Sequence, residues 1–131
     1  MTYAIGHIIY GYDLTQSFFK VTHDLADALK EKFDSPEIAD LDVESPEDLL
    51  EYIQEEYLKS AYRGCDPVPV WLGVKLGKID ECSSVDLTKI QIQPTDEQKQ
   101  ELEKQLQELP DWLQKIMKTF PVSTWIIWGS S

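Results

Sequence analysis

Two runs limit what this chain can fold into. Residues 3–12 read YAIGHIIYGY and residues 122–129 read VSTWIIWG. In both, β-branched and aromatic residues dominate, and apolar side chains occupy successive positions instead of alternate ones. In a strand that pattern makes both faces apolar, which is the signature of a strand buried inside a sheet. The first and last strands are therefore expected inside the sheet.

A third run has a different character. Val70, Leu72, Val74 and Leu76 alternate with Trp71, Gly73, Lys75 and Gly77, so 70–79 is predicted to be a strand with one strongly apolar face. DECSS reads as a turn. In TKIQIQ, Ile90 and Ile92 alternate with Lys89, Gln91 and Gln93, which predicts a half-exposed edge strand paired with 70–79.

Between these runs the apolar period becomes helical. Phe18, Val21, Leu25, Ala28, Leu29 and Phe33 recur three and four apart, predicting a helix over 15–33. Asp13 with Gln16 forms its capping box. A second helix is expected over 46–62. Ser45 is its N-cap, Pro46 its first residue, Leu49, Leu50, Ile53, Tyr57 and Ala61 its apolar stripe, and Arg63-Gly64 its stop. Thr95 and Gln98 make another capping box, and Pro110 divides the following stripe into pieces at about 96–108 and 110–119. The expected fold is α+β: a mainly antiparallel sheet of about four strands, in the order β-α-α-β-β-α-β, with helices packed on one side.

The 131 residues are read as a single domain over 1–131, long enough for a real core, and 42% hydrophobic residues argue for a folded chain. No apolar run reaches the ~18 residues needed to span a bilayer. The first residues have no basic side chain before their apolar part and no small-residue cleavage site, so a signal peptide is not expected and the cytoplasm is. Cys65 and Cys82 stand 17 positions apart outside any metal-binding pattern and are read as free thiols.

Charge is the strongest departure from an average composition. The net charge is −12, and residues 21–64 carry 13 acids against 4 bases. Three quarters of the excess thus lies in one third of the chain. Residues 34–57 hold ten carboxylates and no basic side chain. Such a chain is repelled by nucleic-acid backbones and by anionic membranes, so neither is an expected partner. Solvated acids at a helix start are ordinary capping chemistry. At this density, however, the carboxylates repel one another unless a cation or a basic partner offsets them.

The sharper reading is therefore a small acidic interaction protein that binds and blocks a basic surface on a partner, for example by mimicking a nucleic-acid backbone, or by neutralising a toxin as an immunity protein or antitoxin. Its expected partner is a basic protein of the nucleic-acid-binding kind. The contact residues would be Glu37, Asp40, Asp42, Glu44, Glu47, Asp48, Glu51 and Glu55, as acceptors for Lys and Arg. Calcium fits poorly: in an EF-hand loop starting at Asp40, Ser45 stands where glycine is required.

The rival reading is a binder of a nucleotide or metabolite. Tyr10, Tyr12, Trp71, Lys75 and Trp125 would form an aromatic surface around the glycine-bearing strand. A self-association through the 96–120 stripe is a further alternative. His7 reads as a core histidine with a satisfied hydrogen bond, and His23 with Asp27 as a solvated pair. No phosphate loop, Gly-x-Ser-x-Gly, His-Glu-x-x-His or Cys-x-x-Cys occurs. The sequence leans against an enzyme, and no cofactor or metal is expected.

Overall fold

The computed structural model describes residues 4–14, 18–39, 41–60, 70–80 and 84–130. The side chains of 4, 18–24, 60 and 130 are not among those described. Several expectations fall outside this set: the Gln16 half of the first capping box, the helix stop at Arg63-Gly64, both cysteines, Asp40 and the side chain of His23.

The fold is α+β, with an antiparallel sheet and four α-helices. In chain order the elements are β1 (Ala4–Asp13), α1 (Phe18–Lys32), α2 (Pro46–Glu56), β2 (Lys59–Ser60), β3 (Val70–Asp80), α3 (Asp96–Gln107), α4 (Asp111–Met117) and β4 (Ser123–Ser130). Single turns of 3-10 helix occupy 36–38 and 87–89. The sheet order is β2-β3-β1-β4. Among the described residues, β2 contributes Lys59 and Ser60, opposite Trp71 and Val70.

The local capping chemistry acts as the sequence implies. The Ser45 hydroxyl accepts from the Asp48 amide at 3.1 Å, and Pro46 opens α2. Thr95 and Gln98 exchange both bonds of a capping box at the start of α3. Pro110 separates α3 from α4.

The structure corrects three expectations. α2 ends at Glu56, not near 62. Leu58 turns into the core, and the next two residues pair with β3, so tertiary pairing overrides helical periodicity there. Residues 88–93 form no strand. The Asp86 carboxylate accepts from the amide and hydroxyl of Thr88, which winds 87–89 into a 3-10 turn. Beyond it, the Gln91 amide bonds to Gln98 and to the carbonyl of Gln93. These local bonds take the place of a strand ladder. Finally, β4 is not interior. Among the described residues β1 is its only neighbour in the sheet, and Ile126 and Trp128 are half exposed.

One face of the sheet carries the main core. Tyr12, Val70 and Leu72 join buried side chains from every helix, among them Leu25, Leu29, Leu49, Ile53, Leu102, Leu106, Leu113 and Met117. The stripe of 96–120 is thus spent inside the molecule, which removes it as a self-association surface. Burying these side chains at ~1.5–3 kcal/mol each is the main term holding the helices to the sheet. On the opposite face, Ile9, Trp71 and Ile127 form a small second cluster, with Trp125 against it.

β1 and β3 approach most closely at Gly11 and Gly73, which stand directly opposite each other at φ +152° and +158°. A Cβ on Gly73 would collide with the carbonyl of Tyr10, and one on Gly11 with the carbonyl of Leu72. Gly11 and Gly73 thus serve strand contact. The ladder also carries a bulge between Ile8 and Ile9, which moves Gly77 and Ile79 to the main-core face.

Two predictions follow from this core. Gly73→Ala forces both the φ and the clash, and should cost about 3 kcal/mol in urea unfolding; a loss under ~0.5 kcal/mol would contradict the close approach. The second concerns Tyr12, whose phenol pKa is pushed above 10.0 by burial first, then by the charges of Glu103 and Tyr10. A raised folded-state pKa gives stability that is complete below about pH 10 and is lost as pH rises through the folded value. Tyr12→Phe should therefore flatten the alkaline fall of the urea midpoint as pH rises above about 10. Parallel curves for wild type and variant would show that the phenol does not contribute.

Candidate functional site

The acidic residues are positioned by α2 and the segment before it. Ser45 and Pro46 fix where the helix starts, and Leu49 and Ile53 fix which way it faces by being fully buried. At ~100° per residue, Glu47, Asp48, Glu51 and Glu55 fall within an arc of about 100° on the side opposite Leu49 and Ile53. All four are exposed. They make a single ridge of carboxylates along the outer face of α2. Glu47–Glu51 and Glu51–Glu55 are like-charge neighbours one turn apart, each mildly destabilising.

Glu37, Asp42 and Glu44 are also exposed, on the 3-10 turn and the loop leading into α2. Glu37 is the exception in its pairing: Lys32 Nζ lies 2.7 Å from its carboxylate, the only ion pair among the described residues. Lys32 thus neutralises one end of the stretch, while no described lysine or arginine pairs with the α2 ridge. Asp40 is outside the described residues.

The acidic surface extends further than the sequence indicates. Where α2 ends, a cleft of about 300 Å³ is bordered by Glu56 and Lys59 from one side and by Glu101, Gln105 and Glu108 of α3 and its C-cap from the other. Leu58, Leu72 and Leu109 line it as well. Beside it, Tyr57 packs edge-on against Tyr52, with ring centroids 6.3 Å apart. Burial, then the neighbouring Tyr52, raises the pKa of Tyr57. Glu101 and Glu108 lie some fifty residues beyond the acidic stretch, so only the fold brings them near Glu56.

The five residues of the rival reading do not converge. Tyr10 and Tyr12 belong to the helix-covered core, whereas Trp71 and Trp125 lie in the cluster on the other face. Trp71 is buried, with Lys59 Nζ 5.2 Å from its ring centroid. The Trp125 indole donates to the Gly11 carbonyl at 2.8 Å. Lys75 is exposed. His7 is half buried and does have an interaction partner. Among the described residues no cluster of His, Cys, Asp and Glu could hold a metal ion, and no helix is long and apolar enough to cross a membrane.

A larger concavity lies elsewhere. Ile8, Ile79, Leu87, Ile90, Ile92 and Ile126 surround a groove of about 520 Å³, with Gln93, Ser123, Thr124 and Trp125 completing it. Its outer wall is the 84–94 segment, tied to the sheet by the Thr124 hydroxyl donating to the Ile92 carbonyl at 2.7 Å. Of the candidate site residues read from sequence, Trp125 alone belongs to it. The available signal was the two-faced apolarity of 122–129, which marks surface needing cover without saying from what.

Against this geometry, no protein-family model matches the chain, and no curated protein and no solved structure is similar to it.

Proposed function

We propose that this protein is a small acidic interaction protein that occupies a basic surface on a partner protein and blocks it. The observation that carries the reading is the α2 ridge, where Glu47, Asp48, Glu51 and Glu55 share one exposed face and none is neutralised by a described cation. Evenly spaced carboxylates along a rigid rod present acceptors to Lys and Arg as a phosphate backbone does. Asp42 and Glu44 continue the charge ahead of the helix.

The cleft beyond α2 suits the same partner chemistry. Glu56, Glu101 and Glu108 offer acceptors at its rim, and Leu58, Leu72 and Leu109 an apolar lining. That combination matches an arginine or lysine side chain, whose aliphatic stem packs while its head is paired. A partner with a nucleic-acid-binding groove presents such side chains in rows. Long-range attraction from a net charge of −12 would make association fast and salt-sensitive. The aromatic small-molecule reading has no comparable support, because its residues are divided between the two faces of the sheet.

The test is retrieval of the partner from an extract of the native host, followed by affinity measurement with the purified pair. Replacing Glu47, Asp48, Glu51 and Glu55 by Gln or Asn should weaken binding about 100-fold, at roughly 0.5–1 kcal/mol per contact. Raising salt from ~0.05 to ~0.5 M should weaken the wild type similarly, and the variant much less. Duplex DNA or RNA should compete for the partner. Glu51→Gln alone, which removes both i,i+4 repulsions and leaves the first-turn acids in place, should gain a few tenths of a kcal/mol in stability. A partner held equally by wild type and variant, at both salts and without nucleic-acid competition, would refute the reading.

A further inference from the structure

The two edges of the sheet are built differently. The described part of the β2 edge carries Lys59, and a charged edge is of the kind that resists further pairing. The β4 edge is eight residues long, pairs with β1 in an unbroken register, and contains no charged residue, no proline and no bulge. Among the described residues no backbone hydrogen bond runs from β4 to any segment other than β1.

Exposed apolar side chains gather at this edge. Leu87 is 78%, Ile92 59%, and Ile126 and Trp128 each 50% exposed. Ile126 and Trp128 lie on one face, both about 3.1 Å from where a Gly6 Cβ would stand. They continue the groove that Leu87 and Ile92 wall from above. An uncharged strand edge beside an aliphatic groove suits an extended, apolar occupant.

We propose that this occupant is a second copy of the chain, with β4 pairing antiparallel to β4 about a two-fold axis at Ile126. Such an axis stands perpendicular to the sheet, so each face continues across the junction. In this register Ile126 meets Ile126 of the second copy, Trp125 meets Ile127, and Thr124 meets Trp128. The last pair decides the fit. Thr124 holds the Ile92 carbonyl, so the exposed Ile92 of each copy comes to lie beside the exposed Trp128 of the other. The side chains that each copy leaves uncovered thereby cover one another reciprocally, as an isologous interface requires.

Size and charge agree with this occupant. An edge ~26 Å long with side chains on both faces offers on the order of 500 Å² per partner, and Leu87 and Ile92 raise it toward the ~800 Å² of a standard interface. α2 runs into β2, at the opposite edge of the sheet. Three interstrand spacings, ~14 Å, exceed the ~8 Å Debye length at physiological salt, so the carboxylate ridges of two copies need not oppose the pairing. The result is a continuous sheet through both copies, with both acidic edges facing outward.

Sedimentation velocity from about 1 to 100 µM, the range in which a weak dimer declares itself, should show the mass of two chains. Trp128→Glu combined with Ile126→Lys should weaken association at least 100-fold while leaving the far-UV circular dichroism unchanged. Ile126→Cys, in a chain with Cys65→Ser and Cys82→Ser, should oxidise to a covalent dimer, because directly opposed residues lie within disulfide reach. This crosslink tests the register even if the charged variant does not fold. A wild type monomeric throughout the range would overturn the proposal and leave the groove to a small apolar ligand or a foreign strand. A dimer that survives both charged substitutions, or one that fails to crosslink through Ile126→Cys, would overturn it equally.

Discussion

The double pairing of β1 is the constraint on which the rest of the structure depends. One strand supplies the ladder to β3 on one side and to β4 on the other, and its side chains enter both clusters, Tyr12 in one and Ile9 in the other. Gly11 concentrates these duties. Its missing side chain admits Gly73 from β3, and its carbonyl accepts the indole of Trp125 from β4. A side chain there would separate β1 from β3 and also disturb the acceptor that orients Trp125. That density of backbone function explains why a strand so rich in large apolar residues still contains glycine at this point.

With β1 central, the two ends of the sheet are free to differ. The helices cover the main-core face where Tyr12, Val70 and Leu72 stand, and α2 delivers its carboxylates toward the β2 edge. At the other end the 84–94 segment crosses Ile8 and Ile126 only loosely, leaving a groove instead of a sealed core. Apolar surface is thus left uncovered at the β4 end, while the helix that carries the carboxylate ridge leads into β2 at the other. Charges buried in the groove would carry a desolvation cost, and apolar side chains on the ridge would dilute its field. The separation lets the two surfaces act without interfering.

Much of this was legible in the sequence, and the failures share a cause. The helix starts at Ser45 and Thr95 are written in local chemistry, as is the break at Pro110, because each needs only residues within one turn. The strands at 4–13 and 70–80 are legible from their side-chain pattern. The placement of β4 is not, because apolarity on both faces says that a strand is covered and not by which neighbour. Residues 88–93 have perfect alternation yet form no strand, since Asp86, Gln91 and Gln98 satisfy the backbone and side chains locally. The acidic surface was half legible: the ridge on α2 follows from helical spacing, whereas Glu101 and Glu108 join Glu56 only through the fold. The aromatic surface was lost because alternation cannot say which strands share a face.

An apolar, unguarded edge ordinarily invites open-ended association, and the asymmetry of this sheet determines whether it stops. A strand that pairs with its own copy about a two-fold axis consumes both β4 edges at once. What remains outside is the β2 edge, with Lys59 held over the Trp71 ring and the carboxylates of Glu55 and Glu56 close by in sequence. A third copy would have to add there, against a charged edge and the combined negative field of two chains, each at −12. On the proposed readings, the same charge that would suit the molecule to a basic partner would also close the assembly at two. It would also present that partner with two outward-facing ridges, so that a repeated basic surface could be engaged twice, with the gain in retention that linked sites provide.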